Sequence, residues 1–348
     1  MTTQTTVLVT GVAGYWGSRL AARLLDLPGH SVIGLDVEQP TEELEGLDFI
    51  QADVRNPLLV DLLKAEAIDT VCHLAFIDAI RPTEAAFDLN VMGAMKVIGA
   101  CTEASVRKIV LKSSMAVYGA RPGNPAFLTE DHPLRGSRKY GYTRDMVEIE
   151  AFCEGFRRQT PEMSQTILRF ASIIGPTVNT PMTRFLSKPW APTLWGFDPR
   201  MQLIHEDDVV EALVHAVLHE TPGVFNVAAE DVLPLNRIRG VAGKTPLPIL
   251  HPFAYLGAAL LRSTGLRLTR YVPIELDYIR YPWVGDLTKM REELGFQPRY
   301  TAEEALREFS ARNRLPRSAR PARGEDRLRD VIERRHRARE QRRGGEDE

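Results

Sequence analysis

Tyr140 and Arg144 stand four residues apart, so on a helix they share one face. A phenol titrates near 10 and is a poor base at neutral pH, but a fixed cation beside it favours the phenolate. Ser114 closes an apolar run and could donate a hydrogen bond to the same substrate oxygen. Standing alone, the pair would read as an interfacial tyrosine and a surface arginine on an amphipathic helix. A second pattern upstream turns it towards catalysis. Gly11, Gly14 and Gly17 follow the β-branched run Val7 to Thr10 at spacings of three. Gly11 would allow a sharp turn, Gly14 would let backbone approach a pyrophosphate, and Gly17 would let a helix pack closely on a strand. The unpaired N–H groups of that helix's first turn would face the anion. The next apolar run ends at Asp36, roughly 20 residues on, where a carboxylate accepts hydrogen bonds from ribose hydroxyls and repels a 2′-phosphate. The expectation is a dinucleotide cradle for NAD rather than NADP, with hydride exchanged beside Ser114 and Tyr140.

Such residues need strands that end together. Strand signals recur over 5–10, 31–36, 49–53, 70–75, 108–114 and 165–170, and helix-period segments lie between most of them, notably 57–65, 84–104 and 139–157. Strands alternating with helices predict an α/β fold with a parallel sheet covered on both faces. Ligands in such sheets sit at the carboxyl ends of the strands, where the strand order reverses. Beyond about residue 175 prolines become frequent, a helix is expected over 206–218, a further strand over 225–227, and a last element over 301–309. The apolar stretch 253–261 reads as a packing helix or pocket lid, with a lipid-contacting surface as the alternative. From Arg312 arginines and acidic residues alternate without aromatics, which predicts a solvated, partly helical, flexible tail.

Composition narrows the classes. The 348 residues are 44% hydrophobic and 26% charged, enough for a nucleotide-binding domain with a smaller partner. No apolar run reaches the roughly 20 residues of a membrane span, and the first strand begins too early for a signal peptide. A cytoplasmic location is the expectation. Cys72, Cys101 and Cys153 are too far apart for a disulfide framework or a metal site and read as buried thiols. A net charge of −2 gives no general pull towards nucleic acid.

The sequence resembles the extended short-chain dehydrogenase/reductase family, the NAD-dependent epimerase/dehydratases typified by UDP-galactose 4-epimerase. The likeness runs over about 5–310. It is carried by Thr10-Gly11-Val12-Ala13-Gly14-Tyr15-Trp16-Gly17, Ala52-Asp53-Val54, His73-Leu74-Ala75, Leu89-Asn90-Val91-Met92-Gly93, Ser113-Ser114 through Val117-Tyr118-Gly119, Leu168-Arg169-Phe170, His205-Glu206-Asp207-Asp208 and Asp286-Leu287-Thr288-Lys289. The resemblance implies a Rossmann-type doubly wound parallel sheet over 1–175, with further core elements from about 200–230. It implies a smaller, mainly substrate-binding region over 176–310.

The same resemblance puts Gly11, Gly14, Tyr15, Trp16, Gly17 and Asp36 on NAD, Asp53 and Val54 at the adenine, and Leu74, Ala75 and Phe76 along the cofactor. Asn90 supports the site. Ser114, Tyr140 and Arg144 are catalytic, the last two also touching NAD. In the family a lysine binds the nicotinamide ribose and lowers the tyrosine pKa, and Arg144 holds that place here. Ser172 stands where the family has an asparagine that meets the sugar nucleotide. Met201 stands where it has an arginine, with Arg200 adjacent, and Arg280 is the nearest candidate for a second diphosphate contact. A homodimer through helices 84–104 and 139–157 is implied. The reading is an NAD-dependent oxidoreductase or epimerase acting on a secondary alcohol or ketone. The alternative is a non-catalytic NAD-binding sensor or assembly protein.

Overall fold

The computed structural model describes residues 5–78, 82–251, 253–257 and 275–314. Seven strands form the central sheet: β1 (Thr5–Thr10), β2 (His30–Asp36), β3 (Asp48–Gln51), β4 (Thr70–His73), β5 (Lys108–Ser114), β6 (Ser164–Phe170) and β10 (Gly223–Val227). Their order is β10-β6-β5-β4-β1-β2-β3, and every pair in it is parallel. Val7, Leu8 and Val9, like Ile109, Val110 and Leu111, are buried on both faces, which is why these strands read as unbroken apolar runs. The strand order reverses between β1 and β4, so a crevice opens beyond their carboxyl ends.

The covering helices are α1 (Tyr15–Leu25), α2 (Leu59–Ala65), α3 (Glu84–Phe87), α4 (Gly93–Glu103), α5 (Gly141–Gln159) and α7 (Glu206–Leu218). The helix expected over 84–104 is interrupted by a π turn at Asp88–Met92. Asn90 in that turn explains the widening, because its side chain accepts from Ile77 N at 2.8 Å and donates to Ile77 O at 3.0 Å and Asp145 Oδ2 at 2.9 Å. The strands expected to reach Asp53 and Ala75 stop at Gln51 and His73. Beyond residue 171 lie β7 (Ser172–Ile174), α6 (Pro181–Leu186), β8 (Trp190–Leu194), β9 (Arg200–His205), β11 (Val232–Pro234), α8 (Leu235–Val241), β12 (Thr245–Ile249) and α9 (Ala302–Arg314). These build a three-stranded sheet β11-β9-β7 and a parallel pair β12-β8. Helix α9 runs on past Arg312, into the stretch expected as tail. Residues 258–261 of the apolar stretch and 315–348 of the tail lie outside the described residues. The three cysteines are buried and free, as expected.

A buried polar network fixes the ends of β5 and β6. Arg169 grips Glu150 of α5 through Nε at 2.8 Å and Nη2 at 2.6 Å, while its Nη1 donates to Tyr118 Oη and Glu130 O. Ser113 donates to the same Glu150 at 2.5 Å, and Tyr118 donates to Asn226 of β10 at 2.6 Å. Breaking such a buried pair from one side costs about 3–5 kcal/mol.

Next to the crevice, Thr10 Oγ1 and His73 Nδ1 lie 2.7 Å apart. Burial pushes the His73 imidazole down from 6.5 to about 3. The unfolded chain binds that proton below about 6.5 while the folded chain does not, so falling pH drains stability from there downwards. Urea unfolding at about pH 7.5 and 5.5 is expected to show the wild type losing about 1 kcal/mol more than His73→Asn between the two. Equal losses would show that His73 is not buried neutral.

Candidate functional site

The turn between β1 and α1 lies at the reversal point. Gly11 has φ +74°, and a Cβ there would meet Leu74 O and Ala75 N at 2.7 Å. A Cβ on Gly17 would come within 2.1 Å of Gly11 O, and one on Gly14 within 3.2 Å. Gly14 is the N-cap of α1, with no capping side chain and no acidic residue in the first turn. That helix end is therefore left positive for an anion. Asp36 closes the turn by accepting from Ala13 N at 2.9 Å and Glu38 N at 3.2 Å. The turn, the bare helix end and the adjacent carboxylate fit a dinucleotide.

Of the other expected cofactor residues, Trp16, Leu74 and Phe76 line the neighbouring cleft, whereas Tyr15, Asp53, Val54, Ala75 and Asn90 are not among its lining residues. Asp53 is gripped by Arg55 through Nε at 2.9 Å and Nη2 at 2.6 Å, and that guanidinium holds its carboxyl below the usual range. Val54 is buried and faces Gly93 of α4. Tyr15 Oη lies 2.7 Å from Thr177 Oγ1 and accepts from Arg19, and burial pushes it up to about 12. Phe76 packs on the His73 ring at 4.6 Å. Asn90 ties the segment after β4 to Asp145 of α5, a bracing place.

A single cleft brings together Trp16, Leu74, Phe76, Ser114 and Tyr140. Ser114 Oγ accepts from Ala116 N at 3.2 Å, which leaves its own proton to donate. Tyr140 is the N-cap residue of α5, in extended conformation, so its ring precedes the helix it introduces. Ser172 and Met201 also line the cleft. Arg280 does not; its guanidinium sits over the rings of Tyr281 at 4.6 Å and Phe197 at 4.9 Å.

Arg144 departs from the expectation. Its guanidinium turns to Asp145, with Nε at 2.8 Å and Nη2 at 2.6 Å from Oδ1, and rests 4.9 Å over the Phe87 ring. The Asp145 side chain is 0% exposed, and a buried carboxylate without a partner is costly enough to hold the arginine there. Arg144 is not among the residues lining the cleft. The fixed cation expected one turn beyond Tyr140 serves instead to bind α5 to α3.

Lys112, Tyr278 and Trp283 also line the cleft, and none was singled out in the sequence. The Trp283 indole N–H is buried without a hydrogen-bond partner among the described residues. For Lys112 a signal existed, since alternate residues of a strand share a face and Lys112 stands two before Ser114. Nothing local marks Tyr278 or Trp283, which arrive from far along the chain.

A model of the NAD dependent epimerase/dehydratase family matches residues 7–228. An uncharacterised protein of Mycobacterium tuberculosis is 36% identical over 312 residues, which cover 87% of this chain and 82% of that one. A UDP-glucose 4-epimerase of Lactobacillus helveticus is 34% identical over 179 residues, 49% of this chain and 52% of that one. Among solved structures, MoeE5 in complex with UDP-glucuronic acid and NAD superposes with a TM-score of 0.68 at 24% identity, covering 89% of this chain and 99% of that one. The UDP-glucose 4-epimerase of Thermotoga maritima with UDP-glucose gives 0.67 at 20% identity, covering 89% and 99%. At these identities the two structures share the fold.

The glycine contacts carry a stability test. A methyl on Gly17 must push the turn aside, and overpacking of this kind costs about 1–3 kcal/mol. Gly99 in α4 has open space at its Cβ, where alanine stabilises by about 0.4–1 kcal/mol. Urea unfolding of Gly17→Ala and Gly99→Ala is expected to move the midpoint in opposite directions; a neutral Gly17→Ala would refute the close approach.

Proposed function

This chain belongs to the NAD dependent epimerase/dehydratase family, and we propose that it works as an NAD-dependent oxidoreductase at a secondary alcohol or ketone. The observation that carries the proposal is one cleft running from Trp16, at the start of α1, to Ser114 and Tyr140. The glycine turn and the first turn of α1 would hold the cofactor's diphosphate, and Asp36 its adenosine ribose. Bound there, the nicotinamide supplies or receives the hydride. Ser114 donates a hydrogen bond to the substrate oxygen and orients it. Tyr140 takes the hydroxyl proton when the alcohol is oxidised and returns it when the ketone is reduced.

The proposed substrate is a sugar nucleotide or a related alcohol, supported by the UDP-sugar enzymes among the similar structures. Release of the reduced cofactor would make a dehydrogenase, and return of the hydride to the opposite face an epimerase. A cytoplasmic setting fits the three buried free thiols, and no described helix is long and apolar enough to cross a membrane. We also place a homodimer contact at α4 and α5, where Phe152 and Phe156 stack at 5.5 Å on a partly exposed face.

One observation favours the second reading, a non-catalytic NAD-binding protein: Arg144 is engaged by Asp145, away from the cleft. Tyr140→Phe separates the two. It is expected to lower turnover of UDP-glucose or another accepted alcohol by about 10²–10⁴-fold with NAD affinity within about threefold, because the phenol acts on the reacting proton. Turnover absent in the wild type, with NAD retained and identified by mass spectrometry, would establish the second reading. Calorimetry gives a further check. NAD is expected to bind at least about tenfold tighter than NADP, a gap of about 1.4 kcal/mol, and Asp36→Ala should narrow it. Tighter NADP binding would overturn the role of Asp36.

A further inference from the structure

Strand β5 faces two ways at its carboxyl end. Ser113 points to the buried Glu150, so the side chains of its neighbours Lys112 and Ser114 take the other face; all three residues border the cleft. The Lys112 ammonium lies 5.4 Å over the Trp16 ring and 5.8 Å over the Tyr142 ring, with Nζ 3.5 Å from Tyr142 Oη. Trp16 belongs to the first turn of α1 and Tyr142 to the first turn of α5. The charge thus bridges the cradle side of the cleft and the Tyr140 side.

Among the described residues that line the cleft, Lys112 is the sole cation; the other charged ones are Asp78 and Glu275. No described carboxylate forms an ion pair with it. Burial pushes its amine down to about 8, with Asp78 opposing, so near neutral pH it is still mostly protonated. An ammonium held between two ring faces without a salt bridge is a costly arrangement. It is relieved if a ligand brings an acceptor oxygen. A dinucleotide lying from the glycine turn towards Ser114 brings diphosphate and ribose oxygens past this point, and the guanidinium on α5 is already engaged.

We propose that Lys112, on the strand, is the cation that holds the ribose–diphosphate arm of the dinucleotide in this cleft, the part expected of Arg144 on the helix. The assignment rests on the proposed NAD-dependent function. Lys112 donates to the cofactor's oxygens, and Trp16 and Tyr142 fix its direction by holding the alkyl stem and ammonium between them.

The test is calorimetric titration of the full chain with NAD, and separately with UDP-glucose, for the wild type, Lys112→Met and Arg144→Gln. Glutamine at 144 keeps a donor for Asp145, and methionine at 112 keeps the apolar packing. Lys112→Gln serves as a second replacement, and thermal melting checks that each variant is folded. Lys112→Met and Lys112→Gln are expected to weaken NAD at least fivefold, Arg144→Gln less than fivefold. A loss below fivefold in the folded Lys112 variants overturns the assignment, as does a larger loss in Arg144→Gln. So does a loss confined to UDP-glucose, which would give the cation to the substrate. Absence of NAD binding in the wild type overturns the function itself; binding that ignores Lys112 overturns this assignment alone.

Discussion

The ion pair between Arg169 and Glu150, 5% and 3% exposed, is the constraint from which the site's geometry follows. A charge pair out of water is tolerated only when its remaining donors and lone pairs are satisfied. Here Ser113, Tyr118 and the Glu130 carbonyl satisfy them. Those partners come from β5, the turn after it and the segment leading to α5. The pair therefore sets three pieces of backbone at once: the end of β6, the end of β5 and the middle of the long helix that Tyr140 caps. Apolar packing alone would hold these elements together, but it is non-directional and would leave the serine and tyrosine free to slide relative to one another.

From that fixed point the alternation of β5 does the rest. The Ser113 hydroxyl goes to the network, and the side chains on either side of it leave by the opposite face of the strand; all three residues border the cleft. At the far wall the glycine turn is positioned by close backbone contact, Gly11 against Leu74 and Ala75 and Gly17 against Gly11, and is closed by the Asp36 carboxylate. One wall is set by a buried ion-pair network and the other by backbone approach that leaves no room for a Cβ at Gly11 or Gly17. Asn90, Asp145 and Arg144 brace α5 away from the cleft, at a buried contact, and this consumes the cation that sequence spacing places beside Tyr140.

The sheet was legible because its signals are local and repeated. Apolar runs of strand length alternate with helical periods, and a parallel sheet follows from that alternation. Gly11, Gly14 and Gly17 were legible for the same reason, since each spacing answers to a distance of closest approach. Arg144 misled because spacing of four fixes only which helix face a side chain leaves from. Where a long side chain ends depends on what lies within reach, and Asp145 next door, buried and anionic, outcompeted the cleft. Lys112 went unremarked because a lysine in an apolar strand is ordinarily taken for an edge. Trp283 and Tyr278 join the cleft only through tertiary packing, about 140 residues or more beyond Tyr140, and no local pattern foretells that. The π turn in the helix expected over 84–104 was hidden as well, because a single extra residue barely disturbs the apolar periodicity.

That π turn ties the segment's length to its chemistry. An α-helix advances about 100° per residue, and Asp88–Met92 carries the one surplus residue that lets Asn90 face Ile77 and Asp145 while Ala94, Val97, Ile98 and Cys101 still face the core. Deleting one residue of the turn would remove the surplus and with it the local widening that carries Asn90 to Ile77 and Asp145. The segment's length is thus fixed by a polar side chain rather than by its apolar face.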